Sequence, residues 1–146
     1  MLKTKIYDAF KKPIELDKKE VINFLHKHLG KYGDPKTDIR KALDYSIKET
    51  SPFGGFTMLL YKDDVLVGVT IINQTGMSGY IPENILVYIA THEEYRGQGL
   101  GKELMKRAID HSKGDIALHV EANNPAKFLY EKMGFTNPYL EMRLKK

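Results

Sequence analysis

The feature that most restricts how this chain can fold is the junction spanning residues 85 to 112. ILVYIAT is an almost wholly apolar run, followed by the glycine-rich stretch Tyr95-Arg96-Gly97-Gln98-Gly99-Leu100-Gly101-Lys102 and then by LGKELMKRAIDHS. In the last segment Leu100, Leu104, Ala108 and Ile109 fall on one helical stripe. A strand apolar at nearly every position suits a central place covered on both faces. A one-sided helix following a tight turn supplies such cover. The junction therefore predicts an α/β (α+β) chain: a mixed sheet with helices on both faces.

The remaining segments fit that frame. KTKIYDA (residues 3 to 9) reads as a short strand. Asp17 is a plausible N-cap for a helix carrying Val21, Phe24, Leu25 and His28, broken by GKYGDPKT. Thr37 is placed to cap a second helix, DIRKALDYSIKE. FTMLLYK and VLVGVTII flank Asp63-Asp64 as a hairpin. After the central helix, IALHV reads as a strand, PAKFLYEKM as a helix and YLEMRL as a closing strand. The expected order is β-α-α-β-β-β-α-β-α-β.

With 146 residues, no internal repeat and no linker, one domain over residues 1 to 146 is expected. There is no cysteine, which excludes disulfides, thiolate metal sites and a cysteinyl acyl-enzyme. The N-terminus lacks an apolar signal region and no run approaches the roughly 18 apolar residues of a membrane span, so a cytoplasmic protein is expected. The net charge of +4 comes from lysines spread along the chain among acidic residues. That pattern lacks the concentrated basic face of a nucleic-acid binder, yet suits a polyanionic small molecule held in one cleft. His26 and His28 diverge on their helix, and no metal constellation is visible.

The glycine-rich stretch has its own chemistry. Glycines let backbone N–H groups approach a ligand, and a helix start adds unpaired donors and positive potential, so the turn is suited to a phosphate or pyrophosphate flanked by Arg96 and Lys102. It is not a P-loop, because Glu103 follows Gly101-Lys102 where a hydroxyl is required. The G-x-G-x-G spacing is also wrong for a dinucleotide fingerprint.

Arg96, Gly99 and Gly101, read as R-x-x-G-x-G, resemble the signature of the GNAT superfamily of acetyl-CoA-dependent N-acetyltransferases. Asn123-Asn124-Pro125-Ala126-Lys127-Phe128-Leu129-Tyr130-Glu131-Lys132-Met133-Gly134-Phe135 resembles that family's second hallmark, N-x-x-A-x-x-L-Y-x-x-x-G-F. The resemblance is close over residues 84 to 136 and extends to the first 80 residues only in element order.

The resemblance implies a single-domain GNAT-like fold, its central mixed sheet mostly antiparallel, and acetyl-CoA as acyl donor, with no metal, and it assigns roles by position. Backbone groups of Ile89, Ala90 and Thr91 would meet the pantetheine arm where the fourth strand splays from the fifth. The amides from Gly97 through Gln98, Gly99, Leu100 and Gly101 to Lys102 would cradle the pyrophosphate. Asn123, or Asn124 if the loop shifts by one, would bind pantetheine, and Tyr130 would protonate the leaving thiolate. A phenol with an ordinary pKa of about 10 stays protonated at neutral pH and can do so. Glu83 is the candidate general base, with His92 and His119 as rivals. The acceptor is expected to be a small-molecule amine, a peptide N-terminus or a lysine, met by residues such as Tyr32, Asp34, Asp38 and Tyr139. No nucleic acid and no membrane partner is expected, and the protein would be a monomer or homodimer. Non-catalytic acyl-CoA sensing is the alternative from another class.

Overall fold

The computed structural model describes residues 1–146. The chain runs β1 (Leu2–Tyr7), α1 (Glu15–Leu29), α2 (Lys36–Ser46), β2 (Gly55–Lys62), β3 (Val65–Gln74), β4 (Asn84–Thr91), α3 (Leu100–His111), β5 (Ile116–Leu118) and α4 (Ala126–Lys132). The strands form one sheet in the order β1-β2-β3-β4-β5. The first three pairings are antiparallel, and β4 pairs β5 in parallel through the α3 crossover.

The sheet divides two cores. On one face Val21, Phe24 and Leu25 of α1 and Ile39 and Leu43 of α2 pack on Leu59, Val69 and Ile71. On the other, Leu100, Leu104, Met105 and Ala108 of α3, with Tyr130 of α4, pack on Met58, Leu60, Val67, Ile72 and Leu86. Apolar residues thus cover both sides of β2 and β3, whose middle residues are buried almost without interruption. The most apolar run, β4, is less covered than its composition predicts: Val87, Tyr88 and Ile89 are only half-buried. The reason is local. β5 stays beside β4 for only three pairs, Asn84 with Ile116 to Leu86 with Leu118, and then leaves it.

Three expectations need correction. Asp17 does not cap α1; it is the third helical residue, and its carboxylate accepts the Ile14 amide at 3.2 Å, the return half of a capping box. Thr37 lies inside α2, which starts one residue earlier because Pro35, with φ fixed near the helical value, sets the entry. YLEMRL forms no closing strand; Tyr139, Leu140, Met142 and Leu144 are all exposed. A strand needs a ladder to join, and the outer edge of β5 offers three residues rather than the five read from IALHV. The sheet therefore has five strands. No helix is long and apolar enough to cross a membrane.

Candidate active site

Divergence of β4 and β5 after Leu86 and Leu118 opens a gap in the sheet. The amide of His92 donates to the Val67 carbonyl at 2.8 Å, which aims that end of β4 at β3. Alternation then directs the backbone of Ala90, opposite Val69, toward β3 as well, and turns the N–H and C=O groups of Ile89 and Thr91 into the gap. Of the three residues expected to offer backbone groups there, two face the opening and Ala90 is committed to its neighbour.

The gap leads to the start of α3. A 3₁₀ turn at Glu93–Tyr95 is followed by Gly97 at φ +83° and by Gly99 at φ +74°, the N-cap of α3. Both values lie in the region that L-residues avoid. The first helical bond runs from the Glu103 amide to the Gly99 carbonyl at 3.1 Å, and the amides of Arg96 to Lys102 donate to no protein acceptor. This is a row of N–H groups at the positive end of a twelve-residue helix. Gly101 permits close approach of α4: a Cβ there would lie 3.3 Å from Leu129 Cδ2 and 3.7 Å from Thr91 Cγ2. The turn, the end of β4 and α4 thus meet at one point.

The charged side chains flanking the row behave differently from expectation. The Arg96 guanidinium donates to the His28 carbonyl at 2.8 Å, where a cation suits the C-terminal end of α1, so Arg96 contributes its backbone to the row while its charge is spent on α1. Gln98 accepts from Lys62 Nζ at 2.6 Å. Lys102 is exposed and free.

On α4, Tyr130 is buried to 8% exposure, packed edge-on to Phe135 with ring centroids 6.0 Å apart. Burial raises its pKa above the ordinary phenol value, which keeps it protonated at neutral pH. Its hydroxyl makes no hydrogen bond within the chain. Of the two candidate asparagines, Asn124 uses its Oδ1 to accept the Ala126 amide at 2.9 Å at the start of α4, while the carbonyl of Asn123 accepts from Tyr32.

Glu83 directly precedes β4, at the closed end of the gap, where β4 and β5 are still paired. Its Oε1 accepts the Asp115 amide at 2.7 Å, and backbone hydrogen bonds hold its carboxyl below the usual range, so it is ionised at neutral pH and ties the turn before β5 to the start of β4. His92 is also committed, its Nδ1 accepting the Glu94 amide. His119 is exposed one residue past the last β4–β5 pair, and Ile116, Leu118 and Val120 pack toward α3, so alternation points His119 to the α1 side.

The sequence profile of the Acetyltransferase (GNAT) family matches residues 20–135. The chain belongs to this family. Its GNAT relatives include the mycothiol acetyltransferase of Corynebacterium glutamicum strain R, 37% identical over 86 residues that cover 52% of this chain and 30% of that protein. The N-alpha-acetyltransferase 30 of Schizosaccharomyces pombe is 29% identical over 85 residues, covering 55% of this chain and 57% of that one. This chain thus spans less than two thirds of the length of either curated relative. A GNAT-family acetyltransferase from Streptococcus pneumoniae TIGR4 has the same fold, with a TM-score of 0.70 at 19% identity over 100% of this chain and 98% of that one.

Two tethers on the α1 side of this GNAT chain were not legible as such. Tyr32 donates to the Asn123 carbonyl at 3.1 Å, and Tyr88 donates to Asp34 Oδ2 at 2.6 Å. The loop between α1 and α2 is thereby fastened both to β4 and to the segment after β5, and it roofs the gap. Burial and the Asp34 carboxylate push the Tyr88 pKa upward, so Tyr88 remains a donor. Tyr32 and Asp34 were singled out by position; Tyr88 was hidden within an apolar run. Asp38, 3.7 Å from Lys41, adds its charge to that of Asp34 at Tyr88, and Tyr139 is exposed. No cluster of three or more His, Asp or Glu could hold a metal ion.

Proposed function

We propose that the chain is an acetyl-CoA-dependent N-acetyltransferase that transfers the acetyl group to a primary amine by direct attack in a ternary complex. One observation carries this reading: the row of unpartnered amides from Arg96 to Lys102 stands at the end of a gap whose β4 edge is open at Ile89 and Thr91. A pyrophosphate suits the row, since N–H donors and helix dipole both favour an anion. A pantetheine arm, an amide chain of about strand width, suits the open edge, with the Asn123 side-chain amide opposite.

Such an arrangement directs the thioester toward Tyr130. The amine nitrogen attacks the thioester carbonyl, whose developing oxyanion is met by a β4 backbone donor. The C–S bond then breaks, and the Tyr130 phenol gives its proton to the departing thiolate. The surplus proton on nitrogen passes to water, to His119 on the α1 side or to Glu83 at the closed end of the gap, whose ionised carboxyl also accepts the Asp115 amide. The absence of cysteine agrees with direct attack. The amine enters beneath the Tyr32–Asp34 roof, where the Asp34 carboxylate attracts a cation. The named relatives act on unlike acceptors by their names, a small thiol compound and protein N-termini, so the acceptor class is left to a primary amine.

Tyr130→Phe tests the proposal. The expected result is a fall in kcat of about 10²- to 10⁴-fold, the usual worth of a general acid, with the Kd for acetyl-CoA within twofold of native. Unchanged kcat would remove the acid role, and unchanged behaviour of any kind in a chain that binds CoA without turnover would favour sensing.

A further inference from the structure

The 3₁₀ turn that launches the amide row is itself capped by two imidazoles. The Glu94 amide donates to Nδ1 of His92 at 3.2 Å, and the Glu93 amide donates to Nδ1 of His28, from the end of α1, at 3.2 Å. A ring nitrogen that accepts carries no proton, so both rings are the Nε2–H tautomer. The two rings lie 4.3 Å apart between centroids, and Phe24 lies 4.4 Å from His28. His28 is 5% exposed and also supplies the carbonyl that holds the Arg96 guanidinium. One residue on α1 therefore grips the turn at Glu93 and again at Arg96, the first residue of the row.

We propose that His28 is a positioning residue for the acyl donor, fixing the turn so that the amides of Arg96 to Lys102 are held in the array that receives the pyrophosphate. This rests on the pyrophosphate assignment made under Proposed function. Nδ1 of His28 is engaged by the Glu93 amide and its carbonyl by Arg96, so the residue acts through the loop. A loop that loses this grip must be ordered when the donor binds, and the cost falls on donor affinity and not on the chemical step. The charged and titratable neighbours of the ring are His92, Glu93, Lys27 and Arg96; burial and the nearby cations keep it neutral, while the Glu93 carboxylate opposes them.

The experiment compares His28→Leu, which fills the space without an acceptor, with His28→Asn, whose amide oxygen falls close to the Nδ1 position. Each is measured with CoA, with acetyl-CoA, and with acetyl-pantetheine, which carries the thioester arm but no pyrophosphate. His28→Leu is expected to raise the Kd for CoA and the KM for acetyl-CoA about tenfold, as fits one buried amide left unpaired. Its kcat, and its turnover of acetyl-pantetheine, should stay within twofold of native, and His28→Asn should stay within threefold throughout. Unchanged CoA affinity in folded His28→Leu overturns the proposal, and so does an equal loss with both donors. If His28→Leu does not fold, His28→Gln, whose oxygen falls near Nε2, takes its place: a donor-specific loss in Gln but not in Asn supports the proposal, and identical behaviour overturns it. Failure of the native chain to bind CoA overturns the pyrophosphate assignment itself, a result distinct from any variant effect.

Discussion

At Gly99 the backbone sits at φ +74°, and a Cβ would meet nothing within 4 Å. Gly99→Ala therefore adds strain without a clash, about 1–2 kcal/mol for an L-residue held in the left-handed region, and should lower the melting temperature while sparing CoA affinity. Gly99→Glu adds the same strain plus a negative charge beside the amide row. Titration calorimetry should find CoA binding abolished in the glutamate variant alone; equal losses in both would mean that the loop conformation and not its charge governs binding. His28 sets a pH dependence of stability. Its folded pKa lies below the ordinary value of about 6.5 because burial disfavours the cation. Its contribution is full above that unfolded value and is lost as pH falls through it toward the folded value. Between pH 7.5 and 5.5 the native melting temperature should fall more than that of His28→Asn; equal slopes would show that His28 does not titrate in that range. Glu83→Gln should lower thermal stability through loss of the charged acceptor for the Asp115 amide; a kcat that falls at unchanged acetyl-CoA Kd would mark Glu83 as the base, and an unchanged kcat would leave it an anchor alone. Much of this scale was readable only in part. The glycines of the loop are legible because their constraint is local, whereas the direction of Arg96 was not, since its partner lies 68 residues away.

Among the elements, the β2–β3 hairpin offers a direct check on turn chemistry. Asp63 and Asp64 occupy φ +48° and +68°, both in the left-handed region, as a type I′ turn demands. Asp64→Gly removes the steric cost at the second position and should raise the melting temperature by a few degrees, on the scale of about 1 kcal/mol. No change would mean that the carboxylate compensates for its backbone. The elements whose apolar pattern is strong, α1, α3, β2, β3 and β4, were all legible, because burial on a helix stripe or a covered strand leaves a periodic trace. What failed were ends and edges. Asp17 and Thr37 have the composition of caps, but the chain enters α1 two residues before Asp17, and Pro35 starts α2 before Thr37. YLEMRL has a strand's composition without a neighbour to pair with. Pairing is a property of the partner as much as of the segment, and β5 leaves the sheet after Leu118.

Over the whole molecule, the two cores on either side of the sheet have different tasks. The α1 and α2 side carries the roof over the gap, and the α3 and α4 side carries the amide row and Tyr130. The apolar run of β4 joins them, and its incomplete cover marks the gap. The helix of the second motif, N-x-x-A-x-x-L-Y, was legible because Leu129 seats α4 against Gly101 while the next residue turns its phenol inward. The roof was not, since Tyr88 meets Asp34 across 54 residues. The central claim is that this assembly receives acetyl-CoA and delivers its acetyl group to an amine. The most direct test is release of free CoA thiol from acetyl-CoA across N-terminal peptides, lysine peptides, polyamines, amino acids and aminoglycosides, with no thiol background from a chain that lacks cysteine. The account predicts amine-dependent thiol release with at least one class, lost in Tyr130→Phe and in Gly99→Glu; a native chain that neither binds acetyl-CoA nor releases thiol with any amine would contradict it.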